Sequence, residues 1–200
     1  MAQPQGSSAE RILKAGRALF FEHGFQNVST DMIAREASVS KSSLYKHFPN
    51  KAALLKAVTE AEAAHFEARR TPQIESFDAL QSELSGYGER LMSFLNRPDV
   101  IRFTQLMNEE ARENPEIARV FYRAAYARTL DHMSALLRQG VERGYISAGR
   151  YPDEMARQLL GMWEGVPMVE MMMGAVARPF AKPRAWARDC VAVFMRGVAA

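Results

Sequence analysis

The chain has 200 residues, with 26 Lys and Arg against 23 Asp and Glu, a net charge of +3 with His neutral, and 48% apolar and 24% charged residues. These are the proportions of a folded globular domain; they exclude a disordered tail, a collagen-like chain and a disulfide scaffold. The lone Cys190 cannot close an intrachain disulfide or a cysteine metal cluster. The longest apolar run, Met171 to Ala177, is far short of the roughly 20 residues that span a bilayer. The polar start, Met1 to Glu10, lacks the basic-then-apolar layout of a signal peptide. A cytoplasmic location with no membrane partner is therefore expected.

Helical periodicity runs through the chain, and no stretch alternates apolar and polar residues over a strand's length, so the fold class expected is all-α. The first helix runs from about Ala9 to Glu22, with Ile12, Leu19 and Phe20 on one stripe, Ser7 or Ser8 as cap, and His23-Gly24 as stop. A second begins at Thr30 as N-cap, with Asp31 in its first turn and Met32, Ile33 and Ala37 inward. Ser38-Val39-Ser40 is a three-residue turn. A short third helix follows, Lys41 to Phe48. Asn50 caps a fourth that reaches about Arg70, with Phe66 near its far end. Thr71-Pro72 marks a boundary. Beyond it come a helix over about Phe77 to Asn96, a break at Arg97-Pro98-Asp99 followed by a helix to about Glu113, then a long one from Pro115 to Arg143. After a loop over Gly144 to Gly149, a helix starts near Pro152 and is kinked at Pro167, and a last one starts near Pro183. The domains expected are 1–57 for the first, its last helix continuing to about 70, and 71–200 for the second.

Charge is uneven along this order. The segment from Ser40 to Lys56 carries Lys41, Lys46, Lys51, Lys56 and His47 and no acid. An acid-free basic stretch is either a solvated face or the footprint of a polyanion. Its setting favours the second reading. Two short helices joined by a three-residue turn have the dimensions of a helix-turn-helix, with Ile33, Ala34, Val39 and Leu44 as the apolar wedge. Lys41, Ser42, Ser43, Tyr45, Lys46 and His47 then lie on the outer side of the third helix, which fits a major groove about 12 Å wide. Hydroxyls, a phenol and short cations are the groups that meet base edges and phosphates. Thr30 and Asn50-Lys51 stand at helix N-termini, where free N–H groups suit a phosphate.

The run Ser40-Lys41-Ser42-Ser43-Leu44-Tyr45-Lys46-His47-Phe48-Pro49-Asn50-Lys51, continuing through Ala52-Ala53-Leu54-Leu55, resembles the signature of TetR-type transcriptional repressors. Phe20 to Phe25 and Val28 to Ala34 match the same pattern, so the resemblance covers roughly residues 10–57. The sequence departs from it at Ser38 and Ser42, where Gly is usual. The resemblance implies an N-terminal three-helix reading unit joined by a linking helix to a C-terminal helical domain that dimerises and holds a ligand. It further implies a homodimer on a palindromic double-stranded DNA operator, released when a small-molecule effector spreads the two heads. Glu113 to Ala118 with Phe121-Tyr122 also resembles a C-terminal domain type found in repressors of efflux-pump genes.

In that domain Phe103, Met107, Phe121, Tyr122, Tyr126, Met162 and Trp163 are available to line an apolar, partly aromatic site, although each can equally be core. Gly161 and Gly165, four residues apart, with Trp186 and Phe194, are the candidate dimer contacts on the last two helices. Glu109, Glu110, Glu164 and Glu170 lie beside apolar faces, as solvated acids or as partners for a cationic ligand; the first is the simpler reading. The four His residues show no ligand spacing, and Met171-Met172-Met173 point three ways around a helix, so neither a metal nor another cofactor is expected. No nucleophile elbow, phosphate loop or zinc-protease motif points to an enzyme. The alternatives are a helical scaffold or ligand-binding protein using its basic helix for protein or membrane contact, and an activator.

Overall fold

The computed structural model describes residues 6–64 and 72–200. The expected run of the fourth helix to Arg70, with Phe66, and the boundary residue Thr71 lie outside the described residues, as does the start of the polar leader. Among the described residues the regular structure is helical: α1 (Ser8–His23), α2 (Thr30–Glu36), α3 (Lys41–His47), α4 (Lys51–Ala63), α5 (Phe77–Leu95), α6 (Pro98–Glu113), α7 (Pro115–Tyr122), a π-helical turn (Arg123–Ala127), α8 (Arg128–Glu142), α9 (Pro152–Met172) and α10 (Pro183–Val198). The chain divides into two compact units, one built from 1–63 with 99–125 and one from 64–98 with 126–200.

In the first unit, Ile12, Phe20, Val28, Ile33, Leu44, Leu54 and Leu55 are fully buried and draw α1 to α4 around one core. Ser7 starts α1 with a capping box closed by Glu10. Gly16 permits the close approach of α1 and α4, because a Cβ there would stand 2.8 Å from the Leu54 side chain. The α6 segment joins this unit through ring and ion-pair contacts. Phe21 stacks on Phe103 at 4.2 Å, and Phe103 meets Phe121 edge-on. Arg17 grips the buried Glu62 with two hydrogen bonds of 2.7 and 3.0 Å, reaches Asp99, and lies over the Phe21 ring. These two carboxylates hold the Arg17 guanidinium well above its ordinary range, against the opposing effect of burial. In the sequence, residues 99–125 group with the C-terminal part; Arg17 and Asp99 are too far apart along the chain for that pairing to be read.

In the second unit, α5 packs on α10 and α8 on α9, burying Leu80, Leu84, Tyr87, Met133, Leu136, Leu137, Leu159 and Trp163. Gly88 permits a close approach, since a Cβ there would meet the Trp163 ring at 2.7 Å. The helix expected to run unbroken from Pro115 to Arg143 is interrupted by the π turn at Arg123–Ala127. The kink expected at Pro167 appears at Gly165, whose backbone leaves the helical region. Pro167 has no N–H for the Trp163 carbonyl four residues back. That carbonyl accepts instead from the Trp186 indole at 2.9 Å, and the Met162 carbonyl accepts from Cys190 Sγ at 3.5 Å. The chain's last turn is tied down by an isolated bridge between Ile146 and Ala199.

Candidate nucleic-acid interface

The α2–turn–α3 pair is set by serine caps. Ser29, rather than the expected Thr30, caps α2 by accepting from the Met32 amide at 3.1 Å. Ser40 caps α3 through the Ser43 amide at 3.1 Å, and Asn50 caps α4 through the Ala53 amide at 2.8 Å. One N–H at each of these helix starts is therefore already satisfied within the chain. The turn passes through Ser38 at φ 51°, the left-handed region. Glycine enters this region freely, whereas a side chain costs about 1–2 kcal/mol there.

Leu44 is the buried anchor of α3; Lys41, Ser42, Tyr45, Lys46 and His47 are exposed, and Ser43 is half-buried. Tyr45 Oη and Thr30 Oγ1 are 3.2 Å apart, a hydrogen bond that joins the expected contact residues of α2 and α3 into one surface. Lys41 Nζ pairs with Asp31 at 2.7 Å, which raises its pKa. Lys46 and His47 make no ion pair among the described residues and face solvent.

Lys51 corrects an expectation. Its ammonium does not project as a free phosphate ligand. It donates to the carbonyls of Phe25 at 2.6 Å and Val28 at 2.8 Å and lies 4.1 Å from the centroid of the Phe25 ring. Burial lowers its pKa. Glu110 of α6 takes hold of the same α1–α2 loop from the opposite chemical side, accepting from the Gln26 amide, and burial raises its carboxyl. A cation on the carbonyls and an anion on an amide thus fix the loop that leads into the reading pair. Arg102 adds bonds to the Glu22 carbonyl at the end of α1. Lys51's partners lie more than twenty residues away in sequence, which hides this role; Glu110 was legible only as an acid beside an apolar face, and Arg102 carried no local signal.

The seven expected effector-lining residues fall into two groups. In the first unit, Phe103 and Met107 are buried, Phe121 is half-buried and Tyr122 is exposed. In the second, Tyr126 and Met162 are half-buried. Trp163 is a correction: it is fully buried under Gly88 with its indole on the Ala187 carbonyl, so it has no surface to offer a ligand. Beside it in sequence, Glu164 is half-buried. It is bonded by Tyr126 from the π turn, and desolvation pushes its carboxyl up to about 7. Among the expected dimer contacts, Gly161 and Gly165 are exposed with open space at their Cβ positions. Trp186 is 41% exposed, whereas Phe194 is buried within the chain and presents almost no surface to a second one.

Residues 12–58 match the family model of bacterial regulatory proteins of the tetR family, and residues 82–197 match that of the AefR-like transcriptional repressor C-terminal domain. The chain is 27% identical to the HTH-type transcriptional regulator UidR of Escherichia coli K12, over 82% of this chain and 81% of UidR. Its fold is similar to the crystal structure of a TetR-family regulator from Mesorhizobium loti, with a TM-score of 0.74 at 27% identity over 96% and 97% of the two chains. A TetR regulator from Agrobacterium tumefaciens, at 21% identity, superposes with a TM-score of 0.79 over 97% and 96% of the two chains. The chain belongs to the TetR family of bacterial regulators: it is a helix-turn-helix, DNA-binding regulator of transcription. Among the described residues, no helix is long and apolar enough to cross a membrane.

Proposed function

We propose that this regulator is a cytoplasmic repressor that binds a palindromic operator as a homodimer and leaves it when a small apolar or aromatic molecule binds, with an efflux system among its targets. Residues 1–57 form the reading domain and 71–200 the effector and dimerisation domain. The observation that carries the reading is the outer face of α3. Ser42, Tyr45, Lys46 and His47 stand exposed on a helix anchored by Leu44, with Tyr45 tied to Thr30. A single short helix makes too few base contacts for specific binding, so two heads are needed. The exposed apolar residues Val166, Val169, Trp186 and Val193 of the last two helices, with Met173 just past the end of α9, supply a surface for pairing.

Binding-site selection from random duplexes tests the first half: a palindromic consensus, bound by a dimer with a steep salt dependence, is expected. A panel of hydrophobic molecules added to the preformed complex tests the second. An allosteric coupling of about 1–3 kcal/mol would lower operator affinity roughly 5- to 150-fold. Selection of no sequence refutes the reading head, and a ligand that increases transcription from a reporter through tighter binding refutes the repressor.

A further inference from the structure

In the second unit, α5 and α10 do not stay closed along their whole length. At Gly88 the missing side chain lets the Trp163 ring and the Ala187 methyl fill the space between them. Within two turns towards the start of α5 stand Ser82 and Ser85, both small, and across from them α10 presents Val191. Short side chains leave a cleft there of about 440 Å³, a size that suits a small molecule.

The rim of this cleft carries charge. Arg184 and Arg188 stand one turn apart on α10 and so share a face, with Gln81 and Glu89 on the α5 side. Neither guanidinium is firmly committed. Arg184 meets Glu89 at 3.8 Å and Arg188 meets its neighbour Asp189 at 3.7 Å; both separations exceed a hydrogen bond, and exposed ion pairs of this kind are weak. Among the described residues, the Ser82 and Ser85 hydroxyls and the Gln81 amide make no side-chain hydrogen bond within the protein. A smaller hollow that shares Arg184 and Arg188 reaches Lys182 and makes that approach basic. The charged residues that line the cleft itself are two cations and one anion, a surplus of one positive charge.

We propose that this cleft binds a small organic carboxylate. Arg184 and Arg188 hold the carboxylate, Ser82, Ser85 and Gln81 meet further polar groups of the ligand, and Val191 lies under its apolar body. A planar carboxylate matches the fork of a guanidinium, and a single surplus charge suits a monoanion better than a phosphate dianion. None of the seven expected effector-lining residues lines this cleft. At about 100° per residue, Arg184 and Arg188 also lie roughly on the opposite side of α10 from Trp186 and Val193 of the pairing surface. The ligand bridges α5 and α10, a second chemical input beyond the apolar effector, and its binding does not depend on how that effector acts.

The test uses the full chain and calorimetric titration at pH 8 with three probes: 1-naphthoate, its neutral isostere 1-naphthamide, and the dianion 1-naphthylphosphonate. Saturable binding of 1-naphthoate is expected, about tenfold tighter than that of the amide, the lower end of what charge-assisted bonds contribute. Arg184→Gln and Arg188→Gln alter exposed side chains and should fold as wild type by circular dichroism. Each should weaken 1-naphthoate about tenfold and leave the amide unchanged. Glu89→Gln removes the competing anion and should tighten 1-naphthoate. Arg196→Gln, exposed on the same helix but outside the cleft, should change nothing, which separates loss of the site from loss of positive charge. No saturable binding of 1-naphthoate, equal affinity for the amide, or binding that both cleft arginine variants leave intact overturns the assignment. Tighter binding of the phosphonate than of the carboxylate overturns the choice of a monoanion.

Discussion

Lys51 separates two roles that its sequence position cannot. A phosphate ligand contributes about 0.9 to the slope of log affinity against log salt. A lysine bound to its own protein contributes nothing to that slope but much to stability. The structure shows two short charge-assisted bonds, 2.6 and 2.8 Å, to carbonyls of the α1–α2 loop, over an aromatic ring. Such bonds are worth about 1.5–3 kcal/mol each, offset here by the partial desolvation of the ammonium. Lys51→Met keeps the apolar stem and removes the donors, and the net loss should be about 2–3 kcal/mol. For a chain of this length that corresponds to a fall in Tm of roughly 5–10 °C. Operator titrations from low to moderate salt, at a temperature where the variant is fully folded, should give a slope equal to wild type. Lys46→Ala, by contrast, should leave Tm nearly unchanged and lower the slope by roughly one per head. A Lys51 variant with normal Tm and a reduced slope would refute the clamp and restore the phosphate contact.

Three further outcomes follow from the same geometry. Tyr45→Ala removes an exposed side chain that bonds Thr30; it should cost about 1–3 kcal/mol in operator affinity with little change in Tm, and unchanged binding would remove Tyr45 from the interface. Ser38→Gly relieves the φ 51° turn; part of the gain is returned to the freer unfolded chain, leaving about 0.5–1 kcal/mol, seen as a Tm raised by a few degrees, and a lower Tm would contradict it. A Cβ at Gly161 would meet nothing beyond its own turn of helix within 4 Å, so Gly161→Leu should fold normally yet sediment as a monomer; an undisturbed dimer would move the pairing surface elsewhere.

Local features were legible along the chain. Helix starts and stops such as Glu113-Asn114-Pro115, Tyr151-Pro152 and Lys182-Pro183 are local chemistry, and the structure begins α7, α9 and α10 at those prolines. The α2–turn–α3 pair, its buried Leu44 and its exposed Tyr45 follow from spacing within twenty residues. Wherever the answer depends on a partner distant in the chain, the pattern was silent. Trp163 reads as an aromatic available to a ligand until Gly88 closes over it from α5. Glu164 reads as a solvated acid until the π turn delivers Tyr126. Lys51 reads as one more surface cation until the α1–α2 loop brings its carbonyls to the ammonium. Hydrophobic period and capping are properties of neighbours along the chain. Desolvation, ion pairing and close approach are properties of neighbours in space, which exist only once the chain has folded.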